Sequence, residues 1–210
     1  MEPLLSSTIH EVLCQPWHWD DDSCHIISFN ADGSGEIISR GEMNLWIAAF
    51  TQWKVLDVIS EDTEAAQAAP RPEPTFIGKM LGSPPNHTTI LKARVEITLS
   101  RNRMASLWGH DITRRQINDD LLLDDAFQAK QYTITVRRGQ FATQSAIKMD
   151  LRKRPLYALE IVFDKSPFPA KSEWKPEQQG MVESVRQYEM TIFCARELGR
   201  SEDVGSCIIM

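Results

Sequence analysis

The stretches His25-Ile-Ile-Ser-Phe29 and Glu36-Ile-Ile-Ser-Arg40 flank the turn sequence Asn30-Ala-Asp-Gly-Ser-Gly35, and the aromatic run Leu45-Trp-Ile-Ala-Ala-Phe-Thr-Gln-Trp53 follows at once. Strand-forming residues on either side of an Asn/Asp/Gly cluster specify a hairpin. A third strand directly behind it makes an antiparallel meander rich in Trp and Phe, which is how small antiparallel barrels begin. Glycine accounts for the turn by supplying positive φ where the chain reverses. The segment lacks the Lys-Ser or Lys-Thr that a phosphate loop places after its last glycine.

The remaining strands carry the same signature. In Leu91-Lys-Ala-Arg-Val-Glu-Ile-Thr-Leu99 the odd positions are apolar and the even positions polar, the period of a strand with one buried face. Tyr132–Val136 alternates likewise, and Arg137–Gln140 reads as a turn leading into Phe141–Thr143. Leu156–Phe163 sets Tyr157, Leu159, Ile161 and Phe163 on one side. Tyr188–Cys194 reads as a strand, although Val182, Val185, Glu189 and Ile192 also suit a helix. These make about seven to nine strands joined by short turns, with no alternating helix long enough for a parallel crossover. The expected fold is mainly all-β: one antiparallel barrel domain over 1–210 with one or two short helices. Pro70, Pro72, Pro74, Pro84 and Pro85 mark 59–90 as a long loop, either a disordered insertion or a lid with an apolar underside at Phe76, Ile77, Met80 and Leu81. Within 105–130 a helical turn is expected to start at Asp124 or Asp125 as N-cap, and 199–210 reads as a tail.

Composition excludes several classes. The net charge of −6 with no Lys/Arg block argues against a nucleic-acid partner. Cys14, Cys24, Cys194 and Cys207 are too few and too scattered for a disulfide framework, which fits a reducing, cytoplasmic setting. The first residues have neither the basic nor the apolar region of a signal peptide. Apolar runs such as Leu45–Phe50 fall far short of the roughly 18 residues a membrane helix needs. Cys207-Ile-Ile-Met210 has the Cys-aliphatic-aliphatic-X form of a farnesylation site, which would tether the protein peripherally to a membrane. The preceding residues are not polybasic, and one lipid chain alone anchors weakly and reversibly. The alternative is a short apolar tail.

Aromatic residues supply the ligand-binding candidates: Trp46, Phe50, Trp53, Trp108, Tyr132 and Tyr157. The strand holding Trp46, Ala48 and Phe50 is apolar on both faces at its start, so its outer face needs a loop, a helix or a second copy of the chain as cover. A cavity lined by Trp and Phe and plain core packing are the two readings of this cluster. Among polar groups near expected strand ends, Arg40, Glu42, His110 and Asp111 are the catalytic candidates. Cys14, His18, Cys24 and His25 match no zinc spacing, so no metal is expected. The acidic runs Asp20–Asp22, Asp119–Asp120 and Asp124–Asp125 read as solvated surface. No serine lies in a nucleophile elbow.

Trp17-x-Trp19, the hairpin Ile27-x-Phe29-Asn-x-Asp32-Gly-x-Gly35 and Phe50-x-x-Trp53 resemble the lipocalin-like (calycin) barrel. Phe163-Asp-Lys-Ser-Pro-Phe-Pro169 with Glu173-Trp174 is similar to small fungal proteins of that kind. Gln15-Pro-Trp17 stands where the classical members carry Gly-x-Trp. The resemblance implies a barrel that binds an apolar aromatic or terpenoid molecule without a cofactor. Some small fungal barrel proteins are cofactor-free cyclases of secondary metabolism, including hetero-Diels–Alder enzymes acting on quinone-methide-like intermediates. The first expectation is therefore a cofactor-free cyclase or isomerase. A non-catalytic carrier is the second, and a module tethered through Cys207 the third.

Overall fold

The computed structural model describes residues 9–41, 45–59, 87–103, 117–149 and 154–200. Residues 60–86 of the expected lid, and Glu42, Trp108, His110, Asp111 and Cys207, lie outside these. Eight antiparallel strands follow one another in chain order and close into a ring, a closed barrel in topology. They are β1 (Pro16–His18), β2 (His25–Phe29), β3 (Ser34–Arg40) and β4 (Leu45–Val58), then β5 (Thr88–Arg103), β6 (Lys130–Phe141), β7 (Pro155–Phe163) and β8 (Ile192–Arg200). The expected loop thus gives way to strand at Thr88, and the expected tail at 199 is still strand. Among the described residues, no helix is long and apolar enough to cross a membrane.

Period-2 patterning explains the ring. Leu91, Ala93, Val95, Ile97 and Leu99 of β5 are all buried, and they meet Trp17, Ile27, Ile37, Ile47, Ile134, Ile161 and Phe193 of the other strands in one apolar cluster. Eight strands enclose a space that side chains can fill. At one end of the ring, Leu122 and Phe127 join Phe168, Trp174, Val182 and Met190 in covering this core. The two capping segments are stitched by a Leu122–Trp174 bridge and by Leu123 N–H donating to the Glu173 carbonyl at 2.8 Å. At the other end a helical turn over 9–13 buries Leu13, and its His10 stands edge-on to Trp53 with ring centroids 5.7 Å apart. Two of the tryptophans are plugs with satisfied indoles: Trp17 donates to the Leu13 carbonyl at 3.0 Å and Trp174 to that of Pro169 at 3.3 Å.

Several local expectations are corrected. Arg137–Gln140 is not a turn, because β7 supplies ladder partners there: Arg137 pairs with Glu160 and Arg138 with Leu159 before a bulge ahead of Phe141. The mixed periodicity near the C-terminus reflects two elements in succession. A helix over Gln179–Val185 ends at Arg186, in a left-handed conformation with φ 55°, and the strand begins only at Ile192. The 3₁₀ turn Asp124–Phe127 has Leu123 at its N-cap, while Asp124 pairs with Arg101 at 2.6 Å instead. Short helices over Ile117–Leu121 and Gln144–Lys148 bring the helical elements above the one or two expected.

The β2–β4 region has little spare room. Gly35 lies between Phe29 and Thr51 in the ladder, and a Cβ there would collide with the Ser28 carbonyl oxygen and sit 2.6 Å from Thr51 Oγ1. Backbone cannot move aside as a side chain can. We expect Gly35→Ala to lower stability by about 1–3 kcal/mol or more. Thr51 Oγ1 is buried with no hydrogen-bond partner among the described residues. Thr51→Val should therefore leave stability unchanged or raise it by up to about 1 kcal/mol. Urea unfolding midpoints of the two variants check both, and a tolerated alanine at Gly35 would contradict the packing.

Candidate functional site

The ring is weakest where it closes. Every other neighbouring pair shares at least three register positions, whereas β1 meets β8 only at His18 and Cys194. Register carries a row of functional side chains across this seam: Arg137 opposite Glu160, Glu160 opposite Cys194, and Cys194 opposite His18. Glu160 is buried, with an oxygen 3.2 Å from Arg137. Cys194 is fully buried, and its thiol donates to the Ala142 carbonyl at 3.5 Å. Burial raises the pKa of both groups, with Arg137 opposing at Glu160.

Beside the row is a cavity of about 470 Å³ whose walls include His18, Asp21, Ser23, Tyr157, Arg196 and Glu197. Its near wall is built by the turn between β1 and β2. The Asp20 carboxylate is buried and accepts the N–H groups of Cys24 at 2.7 Å and His25 at 2.8 Å. Two charge-assisted bonds from successive amides hold the turn in one conformation. Ser23 takes a left-handed conformation with φ 54°, and its Oγ lies 3.1 Å from His18 Nδ1. Arg40 supports the same turn: its N–H donates to the Cys24 carbonyl at 2.9 Å and its guanidinium reaches the Ser23 carbonyl at 3.4 Å. Asp21 accepts from the Thr143 hydroxyl at 2.8 Å, tying on the segment that carries the helix Gln144–Lys148. The expectation of a solvated Asp20–Asp22 run is thus corrected, for Asp22 alone of the three is exposed.

The far wall is Arg196, also left-handed with φ 61°; its guanidinium donates to Gln15 Oε1 and to the Glu11 carbonyl, both at 2.9 Å. Among the described residues three non-glycine residues have positive φ, and two of them, Ser23 and Arg196, border this cavity. Such strain collects at functional sites.

The two titratable groups here are driven apart. Burial holds the His18 imidazole below its ordinary range, with Asp20 and Glu197 opposing. Burial, followed by the charges of Asp21, Glu197, Cys194 and Asp20, pushes the Tyr157 phenol well above its ordinary range. At neutral pH the cavity therefore presents an unprotonated imidazole and a protonated phenol, a base and an acid. The Tyr157 hydroxyl makes no hydrogen bond among the described residues, although the residue is 6% exposed.

The described aromatic candidates are not brought together. Tyr157 lines the seam cavity. Trp53 lines a second of about 570 Å³ with Ile9, His10, Val55, Leu56 and Val58. Tyr132, with Lys165 Nζ 5.1 Å from its ring centroid, lines a third of about 200 Å³. Phe50 is on the outer surface, 37% exposed; β4 contains Trp46, while Ala48 beside it is buried. Sequence reasoning missed His18, Ser23 and Asp21 as a group, because a three-residue strand has no periodicity to read. Asp20, four and five residues ahead of the amides it holds, is the one signal that marks the turn. Among the described residues no three His, Cys, Asp or Glu side chains gather as metal ligands, so Cys14, His18, Cys24 and His25 do not form such a set. No family model matches the chain, and no curated protein or solved structure matches it either.

The histidines predict acid sensitivity. His25 is buried, bonded through Nδ1 to Ser39 Oγ at 2.9 Å, and burial lowers its pKa as it does that of His18. A base whose folded value is depressed takes up its proton in the unfolded chain first. Stability is therefore full above the unfolded value of about 6.5 and is lost as pH falls below it towards the folded values. Urea midpoints at about pH 7.5 and about pH 5.5 should differ for the native chain, and His25→Asn should show a smaller difference. An equal pH response in the variant would contradict this.

Proposed function

We propose that the protein is a cofactor-independent isomerase or cyclase that moves a proton on a small aromatic or terpenoid metabolite held in the seam cavity. The observation that carries this reading is an imidazole kept neutral and a phenol kept protonated on the walls of one cavity. With Nδ1–H donating to Ser23 Oγ, the Nε2 lone pair of His18 is the base. It takes a proton from a substrate carbon, and the C–H electron pair moves into the substrate's π system. The imidazolium returns the proton at another atom, so the net change is an isomerisation or ring closure that consumes nothing else. Tyr157 presents its hydroxyl to the substrate's polar group, and Ser23, Asp20 and Arg40 position His18. Proton transfer by placed side chains contributes about 10²–10⁴-fold to such a rate. The closed antiparallel ring, in chain order, supports the lipocalin-like resemblance; a more specific form of the proposal is a cyclase in which the proton transfer generates a quinone-methide-like partner that then closes by hetero-Diels–Alder addition.

Incubation in heavy water with a panel of aromatic and terpenoid carbonyl and imine compounds, followed by mass spectrometry, tests it. Deuterium incorporation is expected with the native chain, with the rate falling about 10²–10⁴-fold in His18→Gln and Tyr157→Phe. Native rates in both variants would refute the assignment.

A carrier is the second reading, favoured by the apolar walls of the Trp53 cavity at Ile9, Val55, Leu56 and Val58. An apolar metabolite bound there should quench tryptophan fluorescence with no isotope exchange. Leu56→Glu, at a position 36% exposed, should weaken it about tenfold without loss of fold. Unchanged affinity would place the ligand elsewhere.

A further inference from the structure

We propose that the molecule bound in the seam cavity is an organic cation, an amine or iminium-type compound of aromatic size, and not an anion; this rests on reading the cavity as the site. The balance of charge on the cavity walls decides the sign of the ligand it takes. Arg196 is its cationic wall residue; its guanidinium donates to Gln15 Oε1 and to the Glu11 carbonyl, both neutral acceptors, so its charge persists and balances one carboxylate. Against it stand the carboxylates of Asp21 and Glu197. Asp21 accepts one hydroxyl, from Thr143. Glu197 has no hydrogen bond or ion pair among the described residues, and it sits opposite Tyr157 in the ladder. Asp20 adds a third negative charge behind the same turn. The neutral His18 supplies nothing to offset them.

A second, independent observation points to a ligand. Tyr157 is more than nine-tenths buried, lines the cavity, and leaves its hydroxyl without a hydrogen bond among the described residues. An aromatic ring next to unspent carboxylates is the chemistry by which proteins hold amines and quaternary ammonium groups. Both titratable groups register the same field: Asp21, Glu197 and Asp20 all raise Tyr157, and Asp20 and Glu197 both oppose the loss of the His18 proton. A carboxylate or phosphate ligand would meet that field unfavourably. A cationic substrate also fits the proton transfer described above, because loss of a proton next to an iminium carbon gives a neutral enamine and no buried anion.

The test uses three probes of one shape, benzyltrimethylammonium, benzyl alcohol and benzoate, titrated into the full chain while the His18 and Tyr157 resonances are followed by NMR. Benzyltrimethylammonium should bind at least about tenfold more tightly than either of the others. Glu197→Gln, and separately Asp21→Asn, should weaken it at least about fivefold while leaving benzyl alcohol unchanged, and added salt should act in the same direction. Benzoate or benzyl alcohol binding as tightly as the cation would overturn the charge preference and leave the cavity as the site. Failure of all three to perturb His18 and Tyr157 would overturn the site itself, and the proposal with it.

Discussion

Closure of the ring through a single residue pair is the constraint on which the rest of the molecule depends. A sheet that ends in open edges invites pairing with other chains, and a closed one removes those edges. Here closure falls to β1, a strand of three residues that meets β8 only where His18 faces Cys194. The ladder bonds that a longer strand would make are replaced by side chains. Arg196 binds Gln15 and the Glu11 carbonyl, Thr143 binds Asp21, and Cys194 binds the Ala142 carbonyl. The contiguous core behind the seam, from Trp17 to Phe193, supplies the apolar burial that keeps so short a joint closed.

The same shortness makes the cavity. Beside the single ladder pair, side chains of β1, of the turn after it and of β8 border the cavity, and Gln15, Asp21 and Arg196, which hold the joint, are among its walls. Left-handed conformations at Ser23 and Arg196 cost on the order of 1–3 kcal/mol each, which the rigid sheet around them must offset. In return, Ser23 is set against His18, and Tyr157 is held beside two carboxylates in a partly desolvated space. Burial then separates the protonation states: the imidazole loses its proton easily and the phenol keeps its own. Structural necessity and acid–base capacity come from the same residues.

What could be read in the sequence was whatever depends on local periodicity. The β5 alternation, the β2–β3 hairpin and the Leu159–Phe163 face are faithful to their residues because one side of each meets the core, whereas Tyr157, at a register shift, joins Phe141 and Cys194 apart from it. Ladder partners far along the chain decided the rest. Arg137–Gln140 stays in a strand because Glu160 and Leu159 pair with it, which nothing in the local sequence announces. Of the aromatic candidates, Trp53 lines one cavity while Tyr157 lines another, and Trp17 and Trp174 are plugs bonded to nearby carbonyls, a division of roles that composition does not reveal. Of the polar candidates, Arg40 was placed near the site through the Ser23 carbonyl, while His18 and Tyr157 meet across strands far apart in the chain.

The most direct test of the seam as an acid–base site is a nitrogen-detected NMR titration of the histidine rings, comparing the native chain with Glu197→Gln. The His18 midpoint should lie below the ordinary value of about 6.5, with Nδ1 carrying the proton of the neutral ring. It should fall further when the Glu197 charge is removed. A midpoint at or above the ordinary value, unmoved by Glu197→Gln, would contradict the acid–base reading of the seam.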